Sequence, residues 1–277
     1  MAKEDVEKLT KALKKEKIIA MLAPSFVAEF PCSVIISRLK GIGFDKIVDL
    51  TFGAKMINRE YHKILENSKE LKIASVCPGI VEIISLKFPE FKKNFIKVDS
   101  PMIATAKICR KTLPKHKICF ISPCEFKKTE AKKSGFVDYT IDYQELKQLL
   151  AQNSNKEIKD KKEVFDLFYN EYTRIYPLSG GLSKTAHLKG VLKQGEEKII
   201  NGIIEVEKFL KSPDKKIKFL DCTFCNGGCI GGPYLSSKDL EEKRQNVLDY
   251  LEQAKQETIP KKQKGIIKDA EGIKFTY

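Results

Sequence analysis

The chain has no apolar run near the ~20 residues that a membrane span needs, so no spanning helix and no membrane partner are expected. Its first stretch, Met1 to Lys17, is charged and helical in composition. It lacks the apolar centre of a signal peptide, so the expected compartment is the reducing cytoplasm. Histidine is scarce: only His62, His116 and His187 occur, isolated from one another and near lysines. Surface or core roles suit them better than metal ligation. No Walker motif, G-x-S-x-G elbow or G-x-G-x-x-G fingerprint is present. Ser179-Gly180-Gly181 lacks the spacing of a phosphate loop, and no Gly-Lys-Ser/Thr follows it. Acidic residues are outnumbered 51 to 37, for a net charge of +14. Yet no recognition helix, zinc finger or aromatic-interleaved RNA signature accompanies that charge. No nucleic-acid partner is expected; a lysine-rich surface equally suits an acidic electron-transfer partner.

Cysteine, by contrast, is plentiful. In a reducing compartment, eight cysteines point to metal binding or chemistry rather than structural disulfides. Three of them, with four of the sixteen glycines, fall between Asp221 and Pro233. Cys225 and Cys229 are separated by Asn226-Gly227-Gly228. Glycines let backbone pass close to a bulky group and adopt positive φ. Such a loop, with N–H groups free to point at anions, suits a sulfide-rich cluster.

The remaining chain alternates strand, turn and helix. Residues 4–16 read as an amphipathic, solvent-facing helix. Lys17 to Ala23 reads as a buried strand that stops at Pro24-Ser25, with a helix to about Phe30. A helix is expected from Pro31 to Leu39, ended by Gly41 and Gly43. Further strands are expected at 46–50, 71–76, 118–122 and 139–142. Helices are expected from about Thr51 to Leu65, to Phe88, from Pro101 to Lys111, and from Tyr143 to Ala151. Gln152 to Lys162 reads as a linker. Beyond it, 163–172 and 198–210 read as helices, 216–220 as a strand and 239–255 as a charged helix. This order predicts α/β layering with parallel strands. The expected units are a helical extension (1–17), a first lobe (18–151) and a second lobe (152–277).

Cys77 and Cys124 each close an expected strand beside a proline, and the Cys225/Cys229 pair follows another. Ligand sites in α/β sheets gather at the carboxyl ends of strands. These four cysteines therefore form a candidate ligand set. Four thiolates suit a 4Fe-4S cluster or structural zinc, although paired C-x₂-C knuckles are the usual zinc pattern. Buried, unliganded cysteines are the third reading. Cys109 and Cys119 lie in apolar faces and read as core. Cys32 is ambiguous, and Cys222 reads as a neighbour of the site.

Three segments together resemble the C-terminal H-cluster domain of the iron-only (FeFe) hydrogenase large subunit. Ala74-Ser75-Val76-Cys77-Pro78 matches its T-S-C-C-P. Pro123-Cys124-Glu125-Phe126-Lys127-Lys128-Thr129-Glu130 matches its P-C-x-x-K-x-x-E. Asp221 through Gly232 matches its E-x-x-x-C-x-G-G-C-x-x-G-G. Ala23-Pro24-Ser25, Gly43-Phe44-Asp45-Lys46, Phe52-Gly53-Ala54, Ser100-Pro101-Met102 and Gly180-Gly181-Leu182 resemble lesser family segments, so the likeness runs from about Ile18 to Leu251. It implies two α/β lobes with small, mainly parallel sheets, clamping an iron–sulfur cluster between them. It implies that Cys77, Cys124, Cys225 and Cys229 hold the cubane. Cys229 would also bridge to any diiron subsite, and Lys127 would donate to a cyanide on it. Ala23, Pro24, Ser25 and Pro101 would line the pocket.

The departures from the family are specific. Val76 stands where the family carries its proton-relay cysteine, so no catalytic residue is assigned. Ser122, Thr223, Met102 and Ile80 also replace family pocket residues. About twenty residues precede the match and include no cysteine, so electrons are expected from a separate redox partner, such as an acidic ferredoxin or a signalling protein. Two functions remain open: a slow or sensory hydrogenase-like protein, or a non-enzymatic 4Fe-4S module.

Overall fold

A computed structural model of the chain describes residues 2–153, 163–236 and 239–277. Seven strands occur among them: β1 (Ile18–Leu22), β2 (Lys46–Asp49), β3 (Lys72–Ile73), β4 (Lys117–Ser122), β5 (Tyr139–Asp142), β6 (Glu197–Asn201) and β7 (Phe219–Thr223). The helices are α1 (Ala2–Ala12), α2 (Cys32–Ile42), α3 (Thr51–Glu66), α4 (Pro78–Lys87) and α5 (Pro101–Thr112). They continue with α6 (Glu125–Ser134), α7 (Tyr143–Gln152), α8 (Gly181–Thr185), α9 (Ile203–Lys211) and α10 (Leu240–Gln256). One sheet has the order β2-β1-β4-β5 and the other β3-β7-β6. Every pairing between these strands is parallel. The chain is therefore mixed α/β, with small parallel sheets flanked by helices.

Strand β1 is buried along its whole length. Its side chains alternate between two cores, as the pleat requires. Ile18, Ala20 and Leu22 join one cluster, and Ile19 and Met21 the other. Cys119 and Cys109 are fully buried in these same two clusters, as the apolar faces around them predict. A third core, with Ile73, Ile84, Val206 and Leu220, packs around the second sheet.

Local signals set most boundaries. Gly43 ends α2 with φ of 118°, whereas Gly41 lies inside the helix. Asp142 and Glu145 form a capping box that starts α7. Pro78 and Pro101 occupy first-turn positions, where their missing N–H costs nothing.

Several expectations need correction. The helix α1 is not solvent-facing all round, because Val6, Leu9 and Ala12 are buried in the first core. Segment 24–28 is a 3₁₀ turn rather than an α-helix. Strand β3 is only two residues long and pairs with β7, so the first half of the chain lends a strand to the second sheet. Residues 163–172 are irregular and are held by bridges Val48–Leu167 and Tyr169–Lys264. The stretch read as a helix from Lys198 begins as β6, pairing with β7 before α9 starts. Helix α6 had no sequence expectation. Most of the expected linker, 154–162, lies outside the described residues.

Candidate metal centre

Each cysteine of the candidate set sits where a strand hands over to a turn or helix. Cys77 follows β3 and is the extended residue immediately before α4. Cys124 follows β4 and occupies the same position before α6. The backbone N–H groups of Phe126 and Lys127, in the first turn of α6, donate toward the Cys124 sulfur. The positive end of a helix favours an anion there. Cys225 and Cys229 lie in the loop after β7.

That loop is shaped by glycine. Gly228 adopts φ 82° and ψ −153°, a region essentially reserved for glycine. A Cβ there would lie 2.5 Å from the Pro177 carbonyl oxygen. The close approach lets the Cys229 N–H donate to that same oxygen at 2.7 Å. The loop is thereby pinned to segment 176–178, which forms the opposite wall of the site.

Between these elements lies a cavity of about 110 Å³. By volume it has room for several waters, at roughly 10–15 Å³ each. Cys77, Cys124 and Cys229 line it, as do Val76 and Lys127. So do Ala23, Pro24, Ser25 and Pro101, together with Met102. Cys225 does not line the cavity, yet Cys77 and Cys124 stand close enough to act on it electrostatically. The cavity lies at the carboxyl ends of β1, β4, β3 and β7, so it draws walls from both sheets. Cys229 is exposed and lines this cavity.

The thiols raise one another. Burial and the neighbouring Cys77, Cys124 and Cys225 push the Cys229 thiol well above its ordinary value. Burial, Cys124 and Cys77 push Cys225 up to about 12. Cys124 rises to about 11, by burial and then Cys77, against the opposing pull of Lys127 and the helix N–H groups. Four thiolates brought together uncompensated would repel, and cationic metal is what relieves that repulsion. Among the described residues, no three His, Cys, Asp or Glu side chains are gathered around a single ion position. A cubane does not need that grouping, because each of its four irons takes one protein thiolate. On these grounds the residues present fit a 4Fe-4S cluster.

Lys127 is 14% exposed. Its Nζ donates to the Val76 carbonyl at 3.1 Å and pairs with Glu130 at 2.6 Å. Glu130 was visible within the second motif, but its role as the anchor of Lys127 was not. Ser25 Oγ and the Tyr143 hydroxyl share a hydrogen bond of 2.7 Å beneath the cavity. Tyr176 is a wall residue that the sequence did not reveal. Its buried hydroxyl has no hydrogen-bond partner among the described residues. Asp221 is fully buried and accepts from the Ser183 N–H at 3.0 Å; burial pushes its carboxyl up to about 6. Cys222 is buried in the third core and does not line the cavity. Cys32 is half-buried, away from it.

The histidines stay outside the site. His116 bonds Asp45 at 2.8 Å, and His62 Nδ1–H donates to the Ala186 carbonyl at 3.2 Å. No helix among the described residues is long and apolar enough to cross a membrane.

Fold and cavity together define an α/β protein with a cysteine-lined site at the meeting of two parallel sheets. The family profile "Iron only hydrogenase large subunit, C-terminal domain" matches residues 16–233, and the chain belongs to that family. Among curated relatives it is similar to iron hydrogenase 1 of Clostridium pasteurianum, 27% identical over 267 residues. The match covers 75% of this chain and 46% of that one, so the chain spans about half the length of this relative. Solved structures agree in fold. One FeFe-hydrogenase, studied for oxygen degradation of its H cluster 2Fe subcluster, aligns with a TM-score of 0.70 at 15% identity, covering 95% of this chain and 90% of the other. A glutamate-to-alanine variant of the Chlamydomonas reinhardtii FeFe-hydrogenase aligns with a TM-score of 0.67 at 14% identity, covering 94% and 90%.

Proposed function

We propose that Cys77, Cys124, Cys225 and Cys229 hold a 4Fe-4S cubane, and that the chain is a slow or sensory iron-only hydrogenase. Electrons would come from a separate carrier, such as an acidic ferredoxin. The observation that carries this reading is the convergence of Cys77, Cys124, Cys229 and Lys127 on one cavity. When bound, the cubane would supply one-electron transfer, and a diiron subsite held at Cys229 would supply the hydrogen chemistry.

The chain's own residues set the conditions. Lys127 offers an ammonium donor to an anionic group, held in place by Glu130 and the Val76 carbonyl. Val76, Met102 and Pro101 give the cavity an apolar wall. Val76 cannot take up a proton, so the family relay is interrupted at its first residue. General acid–base steps typically contribute ~10²–10⁴-fold, and turnover is expected to be low by that order.

One observation favours a second reading, a non-enzymatic 4Fe-4S module for electron transfer, sensing or cluster handling. The cavity, at about 110 Å³, falls below the ~300 Å³ at which small-molecule pockets usually begin. Infrared spectroscopy of the chain co-produced with hydrogenase maturases separates the two. Carbonyl and cyanide stretches are expected for the hydrogenase reading. An intact cubane without those bands overturns it in favour of the second.

A further inference from the structure

A second cavity, of about 370 Å³, opens between α3 and residues 170–173 and 185–187, and shares no lining residue with the cysteine cavity. Its volume falls within the ~300–1,000 Å³ of small-molecule sites. Helix α3 presents Lys55, Arg59, His62 and Lys63 to it. These positions, at i, i+4, i+7 and i+8, share one helix face. No aspartate or glutamate lines the cavity. Lys63 is paired with Glu60 at 2.9 Å. Lys55 and Arg59 have no ion-pair partner among the described residues.

Two further observations give the ligand more than a charge. Asn58 lines the cavity yet is only 4% exposed. Its Nδ2 donates to Thr185 Oγ1 at 2.8 Å, while its buried Oδ1 has no partner among the described residues. An unmet buried acceptor costs free energy until a donor satisfies it. At the rim, Tyr172 is 68% exposed, and its ring lies 6.2 Å from that of His187, tilted by 60°. His187 holds φ of 53°, in the left-handed region that few non-glycine residues occupy.

We propose that this cavity binds a nucleoside phosphate. Its phosphate would pair with Arg59 and Lys55, since guanidinium and ammonium groups are the usual phosphate partners. A sugar hydroxyl or base amine would donate to Asn58 Oδ1. The base would lie against Tyr172 and His187. The site does not depend on the cluster reading, because neither cavity uses the other's residues.

Calorimetric titration of the anaerobically purified full chain tests this, with adenosine and guanosine monophosphates, the free nucleosides, and pyrophosphate as probes. At least one monophosphate is expected to bind, with its nucleoside roughly tenfold weaker or worse. Lys55→Glu and Arg59→Glu, both at exposed positions, are each expected to weaken binding by roughly tenfold or more, and Tyr172→Ala several-fold. Lys11→Glu, an equal charge change on α1, is expected to leave binding unchanged. Absence of binding by every probe at millimolar concentration overturns the proposal. So does equal weakening by Lys11→Glu, which would mark general attraction to a basic surface. Pyrophosphate binding as tightly as the nucleotides, with Tyr172→Ala silent, contradicts the nucleoside assignment. Circular dichroism of each variant separates lost binding from lost folding.

Discussion

Val76 lines the cavity beside Cys77, at the position where the family resemblance implies a proton-relay cysteine. Its backbone still serves the site, because its carbonyl accepts from Lys127. Its side chain, however, gives the cavity a wall where a proton carrier would stand. Val76→Cys in the matured protein is therefore expected to raise hydrogen evolution from a reduced viologen by ~10²–10⁴-fold. Unchanged evolution, with the cluster spectra intact, would show that the missing thiol is not what limits turnover. Asp49, which is not among the residues lining the cysteine cavity, offers a separate test. It is fully buried at the end of β2, where its Oδ1 accepts from the Thr51 N–H at 3.0 Å. Burial, opposed in part by Arg174, pushes its carboxyl from 3.8 up to about 6. Folding thus favours the protonated form. That contribution is present below pH 4 and is lost as pH rises through 6. Between pH 4 and pH 7, wild type should lose about 2 kcal/mol relative to Asp49→Asn. Chemical denaturation across that range measures it, and a pH-independent difference would contradict the burial argument.

At the scale of elements, the loop from Cys225 to Gly232 is the most constrained part of the site. Gly228→Ala is expected to lose about 1–3 kcal/mol from backbone strain alone. The approach of a Cβ to within 2.5 Å of the Pro177 carbonyl adds to that loss. Gly272→Ala, also at positive φ but with open space around it, should cost less. Equal melting temperatures for the two variants would mean that the Cys229 loop is not pinned to segment 176–178. The sequence revealed elements unevenly, for physical reasons. Strands β1, β2 and β4 were legible as apolar runs that end at turn residues. Strand β6 was not, because Glu197, Lys198 and Asn201 lie on an edge strand, where packing on one face alone decides the conformation. Helix α6 was missed because it buries only Ala131 and so lacks an apolar stripe. Segment 163–172 read as a helix, but its bridges run to Val48 and Lys264, partners that no local window contains.

At the scale of the whole molecule, two parallel sheets point their carboxyl ends at one cavity. The ligand candidates were legible because glycine and proline mark the turns that carry them. The remaining wall was not, because Tyr176 and Leu182 reach the cavity only through the docking of the chain's second half. Within the second half, Arg174 is fully buried. Its guanidinium stacks 3.8 Å from the ring centroid of Tyr250 and pairs with Glu257 at 2.9 Å. The second half thus locks α10 against the turn at Pro24–Ala28, where Phe26 meets the Tyr250 ring at 5.4 Å. The account as a whole rests on the four cysteines acting as one ligand set. Iron analysis with electron paramagnetic resonance, on the anaerobically reconstituted and reduced chain, tests that most directly. The prediction is about four irons per chain, with a reduced-cubane signal that Cys124→Ser and Cys225→Ser each weaken or abolish. Zinc in place of iron, or a cubane signal unchanged by both substitutions, would contradict it.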